Sequence, residues 1–200
     1  MYHRGRKNGD AEHWVFAKYR GVSRCDIPPI RGGYLISTRD IEMQRAIMGA
    51  QLEQEQLARS VAASSAVRLI LSDRSAIDPI AYVVLTAINE EDARKRMHVL
   101  VDTVEFQAAL YRYREGTFIL FKPVPEWLVD DGVRSVESQG QTLEVFRKVL
   151  EELDVPYVEL GEETKDLQAR VTFARGLINQ VVRMGFFLLE NPVVYSYFSP

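Results

Sequence analysis

Cysteine is nearly absent: Cys25 stands alone, so no intrachain disulfide is possible and a reducing compartment is expected. Histidine is sparse too, and His3, His13 and His98 are too scattered to read as a metal-ligand cluster. No run of about 18 uncharged apolar residues occurs, which excludes a predicted membrane-spanning helix. The opening MYHRGRKNGD is not followed by the apolar core of a secretion signal. The cytoplasm is therefore the expected location. An excess of one charge is missing too: a formal net charge of −3 makes no field that would gather nucleic acid or an anionic membrane surface. Repeats and low-complexity stretches are lacking as well.

What is present suits one α/β domain. Two hundred residues with 46% hydrophobic content are enough for a real core. Charge is uneven along the chain. Residues 1–24 hold six Lys/Arg against Asp10 and Glu12, and residues 125–166 hold twelve acids against four bases. A frayed basic start and a solvated acidic face account for this. Three segments follow: a poorly ordered or partial N-terminal piece over 1–20, a domain over 21–182, and an apolar tail over 183–200. The tail, cut by Asn191-Pro192, reads as cover for a sheet edge or as poorly packed sequence.

Within the domain, apolar periodicity places the elements. AEHWVFAKYR, residues 11–20, predicts a short amphipathic helix stopped by Gly21. Residues 21–39 form a loop, broken by Pro28-Pro29 and Gly32-Gly33. A long helix is predicted from Asp40, as N-cap, to Ala63. Met43, Ile47, Ala50, Gln54, Leu57 and Val61 line one face of it. Gln44, Gln51, Gln54 and Gln56 accompany that stripe, which reads as a core face with a solvated back or as a bed for substrate. Val67–Ser72, Thr117–Phe121 and Pro156–Leu160 are unalternated apolar runs, as expected of strands buried on both faces in a parallel sheet. Helices are predicted from Asp78-Pro79, over 90–116, over 142–154 and over 164–182. Strands alternating with helices give a parallel sheet with helices on both faces. Three strands are thin for such a fold; one or two are missing from the reading, the central one most naturally.

Two places carry candidate chemistry. The strand ending at Ser72 runs into Asp73-Arg74-Ser75, and ligands of parallel α/β sheets sit at the carboxyl ends of strands. Asp73 there suits a Mg²⁺ ion held through water, in a catalytic or metal-binding role, and Arg74 suits bidentate contact with phosphate. The alternative is an Asp that caps the next turn and an Arg paired with an acid. Arg134, in Asp130-Asp131-Gly132-Val133-Arg134, lies in a loop after a strand with Trp127 nearby. It reads as a phosphate-contacting lid residue or as a surface Asp-Gly turn.

Taken in order, these pieces resemble a known family. They are Glu42-Met43-Gln44-Arg45-Ala46-Ile47, Ala50-Gln51-Leu52-Glu53-Gln54-Glu55, Ser72-Asp73-Arg74-Ser75-Ala76-Ile77-Asp78-Pro79 with Tyr82, Val124-Pro125-Glu126-Trp127, Asp130–Arg134 and Val155-Pro156-Tyr157-Val158-Glu159-Leu160. Together they are similar to the NadR-like AAA domain of the P-loop NTPases, akin to nucleoside and ribosylnicotinamide kinases. The resemblance spans about residues 20–175. It implies Mg-ATP as cofactor and a small-molecule phosphoryl acceptor, with Asp73 and Arg74 facing the nucleotide and Arg134 reaching its phosphates. It also implies an opening apolar strand and a phosphate-binding turn of the GxxxxGK[ST] type. Neither occurs in the first ten residues, and that turn occurs nowhere in the 200. Three readings follow: an ATP-dependent small-metabolite kinase or ATPase impaired in this chain, a non-catalytic remnant that keeps a ligand or partner surface, and a plain structural domain.

Overall fold

The structure, a computed structural model, describes residues 14–17, 40–64, 69–124, 126, 139–185 and 193–198. In chain order these form β1 (Trp14–Ala17), α1 (Ile41–Ala63), β2 (Leu69–Asp73), α2 (Ile77–Leu85), α3 (Glu90–Val101), α4 (Val104–Glu115), β3 (Thr117–Phe121), α5 (Gln139–Glu152), β4 (Tyr157–Leu160), a 3₁₀ turn (Glu162–Thr164), α6 (Leu167–Gly185) and β5 (Val193–Phe198). The five strands make one sheet in the order β1-β2-β5-β3-β4, and every neighbouring pair is parallel.

Chain direction explains the layering. The crossovers β1→β2, β2→β3 and β3→β4 all move one way across the sheet, and β4→β5 returns. Right-handed crossovers then place α1–α5 on one face and α6 on the other. The pleat divides the strand residues to match. Ile70, Phe118, Leu120 and Tyr195 pack into a core with α1–α5, including Met48, Ile80, Leu100, Phe106 and Leu150. Leu69, Ile119, Leu160 and Val194 face the other way and pack on Ile178 of α6. Helices therefore flank both faces of a parallel sheet, as the strand runs predict.

Several sequence expectations need correction. Trp14–Ala17 is an edge strand beside β2, not part of a helix; a short aromatic and β-branched run gains more from laddering on β2 than from an isolated helical turn. The stretch over 90–116 is two helices, broken where Asp102 ends the first and the Thr103 side chain caps the second by accepting from Phe106 N–H. The described strand of the apolar tail is neither edge cover nor loose. Val193–Phe198 is the central strand, hydrogen-bonded to β2 on one side and β3 on the other.

The long helix begins as expected, with the Asp40 carboxylate accepting from Glu42 N–H at 3.0 Å. Its buried face is offset from the predicted stripe by one residue. Gln44, Met48, Gln51, Glu55, Ala58 and Ala62 are inside, while Gln54 and Leu57 are exposed. Three of those buried side chains are polar, so the apolar stripe pointed to the wrong face.

Candidate functional site

Parallel strands present their carboxyl ends along one edge of the sheet, where ligands of such folds bind. Asp73 closes β2 there, level with Ser196 of β5, and is exposed. Directly after it, Arg74 takes a φ of 78°, the left-handed region that a long side chain adopts only under constraint. The constraints are visible. Ser72 Oγ donates to the Arg74 carbonyl at 2.9 Å, and Gln51 Nε2 of α1 donates to the same oxygen at 3.1 Å.

Arg74 turns its guanidinium toward the following helix. Its Nη1 donates to Asp78 Oδ1 at 2.9 Å. Burial works against the Arg74 charge, but Asp78, Tyr82 and Asp73 together outweigh it, so the pKa ends above its ordinary value. Burial likewise raises the Asp78 carboxyl above the usual carboxylate range, against the pull of Arg74 and of the Ser75 N–H. The second Asp78 oxygen accepts from Ser75 N–H at 2.9 Å.

The amides at the start of α2 are all occupied by the protein. Besides Ser75, Ala76 N–H donates to the Tyr113 hydroxyl at 3.2 Å, Ile77 N–H to Ser75 Oγ at 3.0 Å, and Asp78 N–H to the Ser75 carbonyl at 3.2 Å. A helix N-terminus holds an external anion through free N–H groups. Here Asp78 is the anion.

Further along the edge, Lys122 follows β3 and pairs with Glu163 at 3.1 Å and, more loosely, with Glu159 at 4.0 Å. Gly161, after β4, is required by this approach: a Cβ on it would lie 2.2 Å from Lys122 Cε and 2.9 Å from Lys122 Cβ. Arg170 of α6 donates Nη2 to the Gly161 carbonyl at 2.9 Å and stacks over Phe121, 5.8 Å from the ring centre. Glu159 is held below the usual carboxylate range, chiefly by its hydrogen bonds to Arg147. The cations near these strand ends are thus engaged with acids and carbonyls.

Of the site residues expected from sequence, Asp73 and Arg74 sit together at the carboxyl end of β2. Arg134, with Trp127, lies outside the described residues. The alternative of Arg74 paired with an acid is what the structure has, with Asp78 as that acid; Gln51 entered only with the glutamines of α1, and Glu55 and Tyr113 were not anticipated. The i, i+4 spacing of Arg74 and Asp78 was a usable signal for that pair. Only the offset of the α1 face reveals Gln51 and Glu55.

Mg-ATP makes a poor fit to these residues. Arg74 Nη1 is held by Asp78, and the α2 amides are closed. The strand at the centre of the sheet is β5, and the helix joined to it in the described chain, α6, precedes it.

Residues 5–170 match the AAA domain family. The chain belongs to that family. It is an AAA-type, P-loop NTPase-like domain, and the match spans β1–β4 and the first residues of α6. β5, which completes the AAA domain's sheet from the middle, lies outside the match. Neither a curated protein nor a solved structure gives a match. Among the described residues of the AAA domain, no helix is long and apolar enough to cross a membrane.

Proposed function

We propose that this chain is an AAA domain of the NadR-like, small-metabolite kinase kind in which the handling of Mg-ATP is impaired. The observation that carries this reading is the closed turn after β2: Asp78 accepts from both Arg74 and the Ser75 amide, groups that a phosphate would otherwise need. The absence of GxxxxGK[ST] from the 200 residues supports it from the sequence side. A phosphate-binding turn supplies a ring of N–H donors, a Lys, and a hydroxyl for Mg²⁺. Losing several charge-assisted hydrogen bonds of about 1.5–3 kcal/mol each weakens binding by at least roughly a thousandfold.

The same closed turn favours a second reading, a non-catalytic domain whose sheet edge binds a ligand or partner without ATP. Under either reading, calorimetric titration of the chain with Mg-ATP gives no saturable heat at micromolar nucleotide. Micromolar affinity that Arg134→Ala abolishes would contradict both readings. It would place an unrecognised phosphate cradle in this chain.

A further inference from the structure

Glu55 sits inside the protein on α1, beneath the turn that follows β2, and nothing proposed above makes use of it. Its carboxylate is met by two side chains. The Tyr113 hydroxyl of α4 lies 2.9 Å from both Oε1 and Oε2. Gln51 Nε2, one helical turn earlier, donates to Oε1 at 3.3 Å. The Ala76 N–H, bound to the Tyr113 hydroxyl, also favours the charged form.

The same groups hold the turn. Gln51 Nε2 also donates to the Arg74 carbonyl, and the Tyr113 oxygen accepts from Ala76 N–H. With Glu55 ionised, Tyr113 and Gln51 both donate to it. With Glu55 protonated, the acid must itself donate, and Tyr113 is the hydrogen-bonded partner able to accept. The Tyr113 hydrogen then turns away, and its oxygen is shared between the acid and Ala76.

The surroundings are otherwise balanced in charge. Arg112 of α4 attracts the Glu55 carboxylate, while Tyr195 of β5 feels both Glu55 and the opposing Arg112 and Arg59. Arg74 and Asp78 neutralise one another beside the turn. Burial pushes the Glu55 carboxyl up to about 7, against Tyr113, Gln51, Arg112 and Ala76. The group therefore changes charge near neutrality.

We propose that Glu55 is a proton-operated positioning residue for the turn after β2. Its titration changes how Gln51 and Tyr113 hold the Arg74 carbonyl and the Ala76 N–H, and so how Asp73 is set at the sheet edge. The inference does not depend on ATP binding.

Proton–nitrogen correlation NMR on the full chain, taken from the acid to the alkaline side of neutrality, tests it. The amides of Arg74, Ser75 and Ala76 are expected to follow a one-proton curve that Glu55→Gln abolishes. In Tyr113→Phe the curve is expected to move to higher pH, because the strongest hydrogen bond favouring the charged form is gone. Flat amides in the wild-type chain would overturn the proposal. A curve that survives Glu55→Gln belongs to another group, such as Asp78, and would overturn it too. Should Glu55→Gln not fold, an unmoved midpoint in Tyr113→Phe would do the same.

Discussion

Arg74 and Asp78 decide how the β2 edge is read. A free phosphate-clamping arginine contributes little to stability, whereas one that neutralises a buried acid contributes much. Asp78 keeps only 7% of its side chain exposed and Arg74 28%. Removing Arg74 leaves the acid buried and uncompensated, and the partial exposure of Arg74 reduces the cost below that of a fully buried pair. Arg74→Ala is expected to lower unfolding free energy by about 2–4 kcal/mol in urea denaturation; a change near zero would return Arg74 to the role of a free ligand group. Glu55 gives a second residue-scale prediction. Its ordinary pKa of 4.5 rises to about 7 in the fold, so the folded chain keeps a proton that the unfolded chain loses. Its stabilising contribution is complete below the ordinary value and is lost as pH rises through about 7, at about 1.4 kcal/mol per pH unit, or about 3 kcal/mol in all. Glu55→Gln should flatten that slope. Denaturation at mildly acidic and mildly alkaline pH checks it, and a slope kept by the variant contradicts it.

Elements were legible where one force dominated. Thr117–Phe121 and the run through Leu69–Ser72 are apolar on both sides of the pleat, which only a buried parallel strand rewards, and both are strands. Asp40 announced its helix through a cap that depends on neighbours in sequence alone. Legibility failed where tertiary context took over. β1 lies among polar residues and gains its ladder from β2, more than fifty positions away in sequence. The face of α1 was misplaced because Gln44, Gln51 and Glu55 are buried polar groups, and two of them have partners beyond the helix. Gln51 and Glu55 meet Arg74 and Tyr113, and no periodicity of apolar residues reports that. The site was legible to the same extent: the position of Asp73 and Arg74 at a strand end followed from the run before them. The closure of the turn needed Tyr113, 37 residues from its Ala76 partner.

At the scale of the whole molecule, β5 joins two halves. β1 pairs only with β2 in the sheet order and β4 only with β3, and β5 bridges the pairs. Tyr195 anchors it, stacked on Phe118 with ring centres 4.5 Å apart and edge-on to Tyr113 at 5.0 Å. Tyr195→Ala is expected to cost about 3–5 kcal/mol, the range for a buried aromatic; a loss below about 1 kcal/mol in thermal or chemical unfolding would mean the strand is not held there. β5 thus holds the centre of the sheet although it lies outside the family match. A cross-strand disulfide tests it most directly. Leu71 and Val194 are register partners on the face toward α6. Neighbouring strands run about 4.8 Å apart, within disulfide reach. In a chain carrying Cys25→Ser, Leu71→Cys and Val194→Cys, mild oxidation is predicted to close a bond within one chain, seen as a faster monomer band without reductant. Free thiols after oxidation, in a chain that remains folded, would contradict a sheet centred on β5.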